Sequence, residues 1–113
     1  MGYGVYKVTD EFESRLADYT GAKYAITVDN ASNAIFMALM YEKVNGLKIT
    51  IPTRTYPSVP CEIIHAGAKV KWEKVKGKSI KGAYQLKPTK VWDSALSFTG
   101  DMYIPNTHMC LSF

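Results

Sequence analysis

Three stretches of this chain place polar or flat side chains where a strand-like run gives way to a helical one, and a fourth lies near its end. Asp29-Asn30-Ala31-Ser32-Asn33 is a polar turn entering an apolar helical run. The free N–H groups and positive dipole end of such a helix favour an anion such as phosphate, and Ser32 adds a hydroxyl. The same residues also suit an ordinary helix cap. Tyr56 follows Ile51-Pro52-Thr53-Arg54-Thr55 in a loop. Its ring offers a flat ligand a large apolar face at low entropic cost, or simply half-buries in the loop. Asp93 ends the run Lys90-Val91-Trp92. A carboxylate there favours the cationic form of a neighbouring base, or caps a short turn through Ser94 and Ala95. Ser112 falls in the closing run Met109-Cys110-Leu111-Ser112-Phe113.

The elements that must hold these residues alternate. Thr9 or Asp10 can cap a first helix, with acidic residues in its first turn, Phe12, Leu16 and Tyr19 at helical spacing, and Gly21 as its stop. Tyr24 to Val28 reads as a strand of β-branched and aromatic residues. A second helix runs from the polar turn through Ile35, Phe36, Leu39 and Met40 to about Val44, where Asn45-Gly46 stops it. Lys48 to Ile51 is a strand closed by Pro52. Pro57 suits the first turn of a helix over Val59 to His65, ended by Gly67. Lys69 to Trp72, Lys90 to Asp93, Met102 to Ile104 and His108 to Phe113 complete the strands, and Lys74 to Pro88 is turn-rich. This order predicts an α/β fold with a mostly parallel sheet flanked by helices. Ligand-binding residues of such sheets collect where strands end and helices begin.

The 113 residues make one domain at most, and 47% hydrophobic with 21% charged residues is a globular composition. The net charge of +4 gathers in the lysines between Lys69 and Lys90. Alternation with Val, Trp and Gly makes this a solvated strand surface rather than a nucleic-acid helix. Cys61 and Cys110 form no Cys-x-x-Cys pair, so buried thiols are expected and neither a disulfide nor a metal site. No basic head with an apolar stretch opens the chain, and no apolar run is long enough to span a membrane, so the expected location is the cytoplasm. His65 and His108 read as structural. Arg54, beside Tyr56, is either a surface arginine or a contact for a substrate anion. Trp72 and Trp92 are expected in or beside the core.

In order, these stretches resemble the DegT/StrS family of pyridoxal-phosphate sugar aminotransferases. Ser32 stands at the Thr of that family's Ser-x-Thr-x-Ala-Leu phosphate motif, with Asn33 next, Ile35 for Leu and Ala31 for the usual Gly or Cys. Ile51 to Tyr56 resembles Val-Pro-x-x-Thr-aromatic, whose ring stacks on the cofactor's pyridine face. Ala66-Gly67-Ala68-Lys69-Val70 resembles Gly-Ala-x-Pro-x-Phe. Asp93-Ser94-Ala95 resembles Asp-Ala/Cys-Ala/Ser, where the Asp meets the pyridine nitrogen. Leu96 takes the place of a Gln or His usual near the ring hydroxyl. Ser112-Phe113 resembles the start of Ser-Phe-His-x-x-Lys, whose serine contacts the phosphate and whose lysine forms the Schiff base. Trp72 to Val91 is shorter than the family's usual stretch.

The resemblance implies that residues 1–113 are the N-terminal part of the large domain of a fold-type-I enzyme, without the small C-terminal domain. Pyridoxal 5'-phosphate would be held by Ser32, Asn33, Tyr56, Asp93 and Ser112, with no catalytic residue and no metal in this chain. A complementary C-terminal half, as a second polypeptide, would bring the Schiff-base lysine. The implied assembly is a dimer of two-piece subunits, with glutamate and a nucleotide-linked keto-sugar as substrates. The alternative is a non-catalytic relic or a small α/β module that binds a phosphorylated ligand.

Overall fold

The computed structural model describes residues 3–74 and 82–112. In chain order they form α1 (Tyr3–Thr20), α2 (Ala31–Tyr41), β1 (Lys48–Pro52), α3 (Ser58–His65), β2 (Lys69–Glu73), β3 (Tyr84–Gln85), β4 (Val91–Asp93) and β5 (His108–Cys110). Strands β1 and β2 pair in parallel, with Ile49 opposite Val70 and Ile51 opposite Trp72. Strand β4 pairs antiparallel with β3 and parallel with β5. One antiparallel bridge, Thr50 to Lys87, joins the two ladders. Two antiparallel steps separate β1 from β4, so β1, β2, β4 and β5 point the same way. The expected α/β architecture is therefore present as a small fold with short parallel pairings.

Alternation explains β1. Ile49 and Ile51 are fully buried while Lys48 faces water. They meet Ile35 and Leu39 of α2, one helical turn apart, and Val59 and Ile63 of α3, with Leu86 and Val91 closing the cluster. The Asn30 side chain caps α2 by accepting from the Asn33 N–H at 2.9 Å, a contact worth about 1 kcal/mol. Past α3, the Gly67 N–H donates to the Ile64 carbonyl and the Ala68 N–H to that of Ile63, the paired bonds of a Schellman turn. Gly67 has φ 88°, and a Cβ there would lie 2.6 Å from Asn45 Oδ1, so the position requires glycine.

Several expectations need correction. Helix α1 starts at Tyr3, so Thr9 and Asp10 lie inside it and no acidic residue occupies its first turn. Continuing the backbone ladder outweighs a local cap, whose advantage is about 1 kcal/mol. Residues 24–28 form no strand: Tyr24 and Ile26 are largely exposed, and no ladder among the described residues pairs with them. β-branched residues favour a half-buried pleated surface, and none lies alongside. Helix α2 ends at Tyr41, because Lys43 turns left-handed (φ 54°) and carries Val44 into the core. Residues 102–104 are not a strand either. The Asp101 and Tyr103 N–H groups are spent on the Tyr19 and Thr20 carbonyls at the end of α1. Met40 and Trp72 are about half exposed, while Trp92 is half-buried. Of the turn-rich stretch, residues 75–81 lie outside the described residues, as does Phe113; the strand expected from His108 onward ends at Cys110, with Leu111 and Ser112 beyond it.

Strand β2 is the margin of its ladder. Four of its five residues are exposed, Lys69 and Lys71 among them. No helix among the described residues is long and apolar enough to cross a membrane.

Candidate functional site

The parallel strands deliver their C-terminal ends to one side of the sheet. Strand β1 runs into the loop that carries Thr55 and Tyr56. Strand β4 ends on Asp93, and β5 ends on Cys110, which faces Asp93 in register. Helices α2 and α3 begin beside these ends, and Ser32 and Ser58 in their first turns share a hydrogen bond of 2.6 Å. The pair ties the two helix starts together across 26 residues of sequence.

Asp93 is the centre of the arrangement. It is 7% exposed, and neutral donors reach both carboxylate oxygens. The Tyr84 hydroxyl donates to Oδ2 at 2.8 Å, and the Ala95 N–H donates to Oδ1 at 3.1 Å. Tyr84 stands directly opposite Asp93 in the antiparallel ladder. Its hydroxyl also contacts the Thr55 hydroxyl. Tyr84 has one hydroxyl hydrogen and spends it on Asp93, so Thr55 is the donor in that contact. The result is a polarised relay from Thr55 through Tyr84 to Asp93. Burial pushes the Tyr84 hydroxyl well above the ordinary tyrosine range; the Thr55 bond opposes this, and the Asp93 charge adds to it. Next to the relay, Ser94 is 1% exposed, and its Oγ has no hydrogen-bond partner among the described residues.

The residues expected in the site divide. Ser32, Asp93 and the loop of Tyr56 share the side just described. The Tyr56 ring itself is 72% exposed. Ser112 lies two residues beyond β5 and is exposed. The Asn33 side chain lines a shallow open hollow of about 280 Å³ with Thr27, Val28, Asp29, Phe36 and Met37. That hollow takes in none of the other four. The Asn33 backbone N–H is already engaged by Asn30, which leaves less of the α2 start free for an anion than the sequence implied. Leu96 is exposed, so no side chain at that position reaches back toward the relay.

Sequence reasoning missed Tyr84, Thr55 and Ser58 as contacts. A hairpin reading of the residues around Pro88 would have set Tyr84 across from Asp93, nine residues on. His108 holds the end of α2: its ring meets Tyr41 edge-on at 5.3 Å between centroids, and its Nε2 lies 3.9 Å from Glu42 Oε2. No group of three or more His, Cys, Asp or Glu side chains among the described residues is placed to hold a metal ion.

The two thiols differ in a testable way. Burial, and secondarily the Asp93 charge, push the Cys110 thiol up to about 12, whereas Cys61 is exposed. The folded chain is expected to alkylate at Cys61 with iodoacetamide at neutral pH, and at Cys110 only on unfolding, as read by peptide mass spectrometry. The raised value also links to stability. The protonated thiol is the folded form's preference, so its contribution is intact below the ordinary 9.0 and is lost as pH climbs towards about 12.

Comparison with known proteins follows the same order of residues. The profile of the DegT/DnrJ/EryC1/StrS aminotransferase family matches residues 3–91. Two curated relatives are each named GDP-perosamine synthase. That of Vibrio cholerae is 29% identical over 76 residues, covering 66% of this chain and 21% of its own length. That of Caulobacter vibrioides is 34% identical over 59 residues, covering 51% of this chain and 16% of its own length. The chain thus spans about a fifth of the length of the curated relatives it matches. The profile match stops two residues short of Asp93 and leaves Ser112 outside. With most of its residues inside that match, the chain belongs to the DegT/DnrJ/EryC1/StrS aminotransferase family.

Proposed function

We propose that this chain is the N-terminal part of the large domain of a fold-type-I aminotransferase that acts on a nucleotide-linked keto-sugar. The observation that carries the reading is the buried Asp93 carboxylate, met by neutral donors at the C-terminal side of the parallel strands. A carboxylate held in a dry place without formal positive charge on its donors is suited to a cationic ring nitrogen. The donor set therefore fits pyridoxal 5'-phosphate. Bound there, the cofactor supplies the electron sink that lets an amino group pass between an amino acid and a keto-sugar.

In this reading the chain binds and orients rather than reacts. Asp93 holds the proton on the ring nitrogen. Tyr56, exposed on the loop next to Thr55, supplies the face that covers the ring. Ser32, at the start of α2, and Ser112 receive the phosphate. These residues include no lysine. The anchoring lysine and the rest of the fold come from outside these 113 residues, on a complementary C-terminal half, and two such assemblies pair as a dimer. The names of the relatives favour a GDP-linked sugar as amino acceptor, with glutamate as donor.

The test joins the chain to a lysine-bearing C-terminal half of a family member, adds pyridoxal 5'-phosphate and reduces with borohydride. The expected pyridoxyl label lies on the lysine of the added half, by peptide mass spectrometry. Label confined to lysines of this chain, or none in a complex that forms, overturns the proposal and leaves a binding module.

A further inference from the structure

Asp93 has a partner already. The Tyr84 hydroxyl sits 2.8 Å from Oδ2 while the Ala95 N–H holds Oδ1. With Asp93 only 7% exposed, a planar ring cannot bring a nitrogen to Oδ2 while the tyrosine stays where it is. The donor is also aligned by a second residue, since Thr55 donates to the same hydroxyl from the loop that bears Tyr56. Donation from Thr55 polarises the Tyr84 O–H and strengthens its bond to the carboxylate.

We propose that Tyr84 is a latch on Asp93, its hydroxyl standing in for the ring nitrogen of the ligand and leaving when that ligand enters. This rests on the reading of Asp93 given under Proposed function. The latch solves a problem of burial. A carboxylate taken out of water without donors is costly, and the tyrosine keeps it satisfied until a cation replaces it. The exchange is favourable because an N–H⁺ donor makes a stronger bond to a carboxylate than a neutral hydroxyl does. It also has a cost. Ligand binding must break the Tyr84 bond and the Thr55 bond behind it, so the apparent affinity is below the intrinsic one. The coupling to Thr55 means that opening the latch frees the residue next to Tyr56, the ring expected to cover the ligand.

The experiment measures the affinity of the 113-residue chain, joined to the C-terminal half used in the preceding test, for pyridoxine 5'-phosphate by titration calorimetry. This probe lacks the aldehyde, so surface lysines do not capture it. The variants are Tyr84→Phe, Asp93→Asn and the two combined. Tyr84→Phe keeps the ring and removes the latch bond, and is expected to bind about tenfold more tightly than the parent. With Asp93→Asn already present, the same change is expected to shift affinity less than about twofold, since the contact it removes is no longer to an anion. Should Tyr84→Phe misfold by circular dichroism, Thr55→Val gives the second reading: it leaves Tyr84 in place, weakens the latch and tightens binding by about threefold. Unchanged or weaker binding by Tyr84→Phe and Thr55→Val, with Asp93→Asn still impaired, overturns the latch and leaves the site standing. Binding indifferent to Asp93→Asn, or absent from every form, overturns both.

Discussion

Asp93→Asn is expected to erase the distinction between a pyridine and a benzene ring in the bound ligand. The parent chain is expected to bind pyridoxine 5'-phosphate between about 10-fold and 100-fold more tightly than an analogue of the same shape with carbon in place of the ring nitrogen. That interval is the worth of a hydrogen bond to a charged group, about 1.5–3 kcal/mol. Asp93→Asn is nearly isosteric and can still accept from Tyr84 or from the Ala95 N–H, the two donors seen here. It withdraws the charge and one of the two acceptor oxygens, so only one of those donors keeps its bond. The variant is expected to bind both ligands about as the parent binds the carbon analogue. Competition calorimetry at fixed ionic strength reads the ratio directly. A parent chain that fails to separate the two ligands would show that Asp93 does not face a ring nitrogen.

The second large effect is on stability. Leu39 is fully buried in the cluster where α2 meets the sheet and α3. Leu39→Ala is expected to cost about 3 kcal/mol, the sum of lost transfer energy and of a cavity that rigid neighbours cannot fill. Against the usual total of about 5–15 kcal/mol, that loss leaves much of the chain unfolded at modest urea. Met37, two residues earlier on the same helix, is 55% exposed. Met37→Ala is expected to change stability by less than about 0.5 kcal/mol. Urea titration followed by circular dichroism compares the midpoints, with equal slopes confirming that both variants unfold from the same compact state.

The parts of the fold that were legible in the sequence are those decided by neighbours along the chain. The Ile49 and Ile51 alternation, the polar turn before Ala31 and the stop at Gly67 each carry their cause within a few residues, and the structure has all three. What failed was decided across distance. Tyr24 to Val28 has the composition of a strand but no ladder beside it among the described residues. Residues 102–104 read as a strand, yet the Asp101 and Tyr103 N–H groups are drawn to the end of α1. The candidate site divides in the same manner. Asp93 could be picked out by its place at the end of an apolar run. Its donor Tyr84 needed the β3–β4 register as well, which only a hairpin reading around Pro88 would have supplied. Asn33 was grouped with Ser32 by adjacency, but neighbouring residues on a helix point about 100° apart, and one faces Ser58 while the other faces the Thr27 hollow.

Among the described residues no strand pairs with the outer side of β2, which bears on what sort of chain could extend the sheet. A second copy laid against it in matching parallel register would bring Lys69 beside Lys69 and Lys71 beside Lys71. Like charges at such spacing repel, so that register is disfavoured, whereas an antiparallel copy would set Lys69 against Glu73 of the same strand. A strand bearing glutamate or aspartate at the facing positions would meet no such barrier. The spacing of Lys69, Lys71 and Glu73 thus decides the direction in which a neighbouring strand could run beside β2.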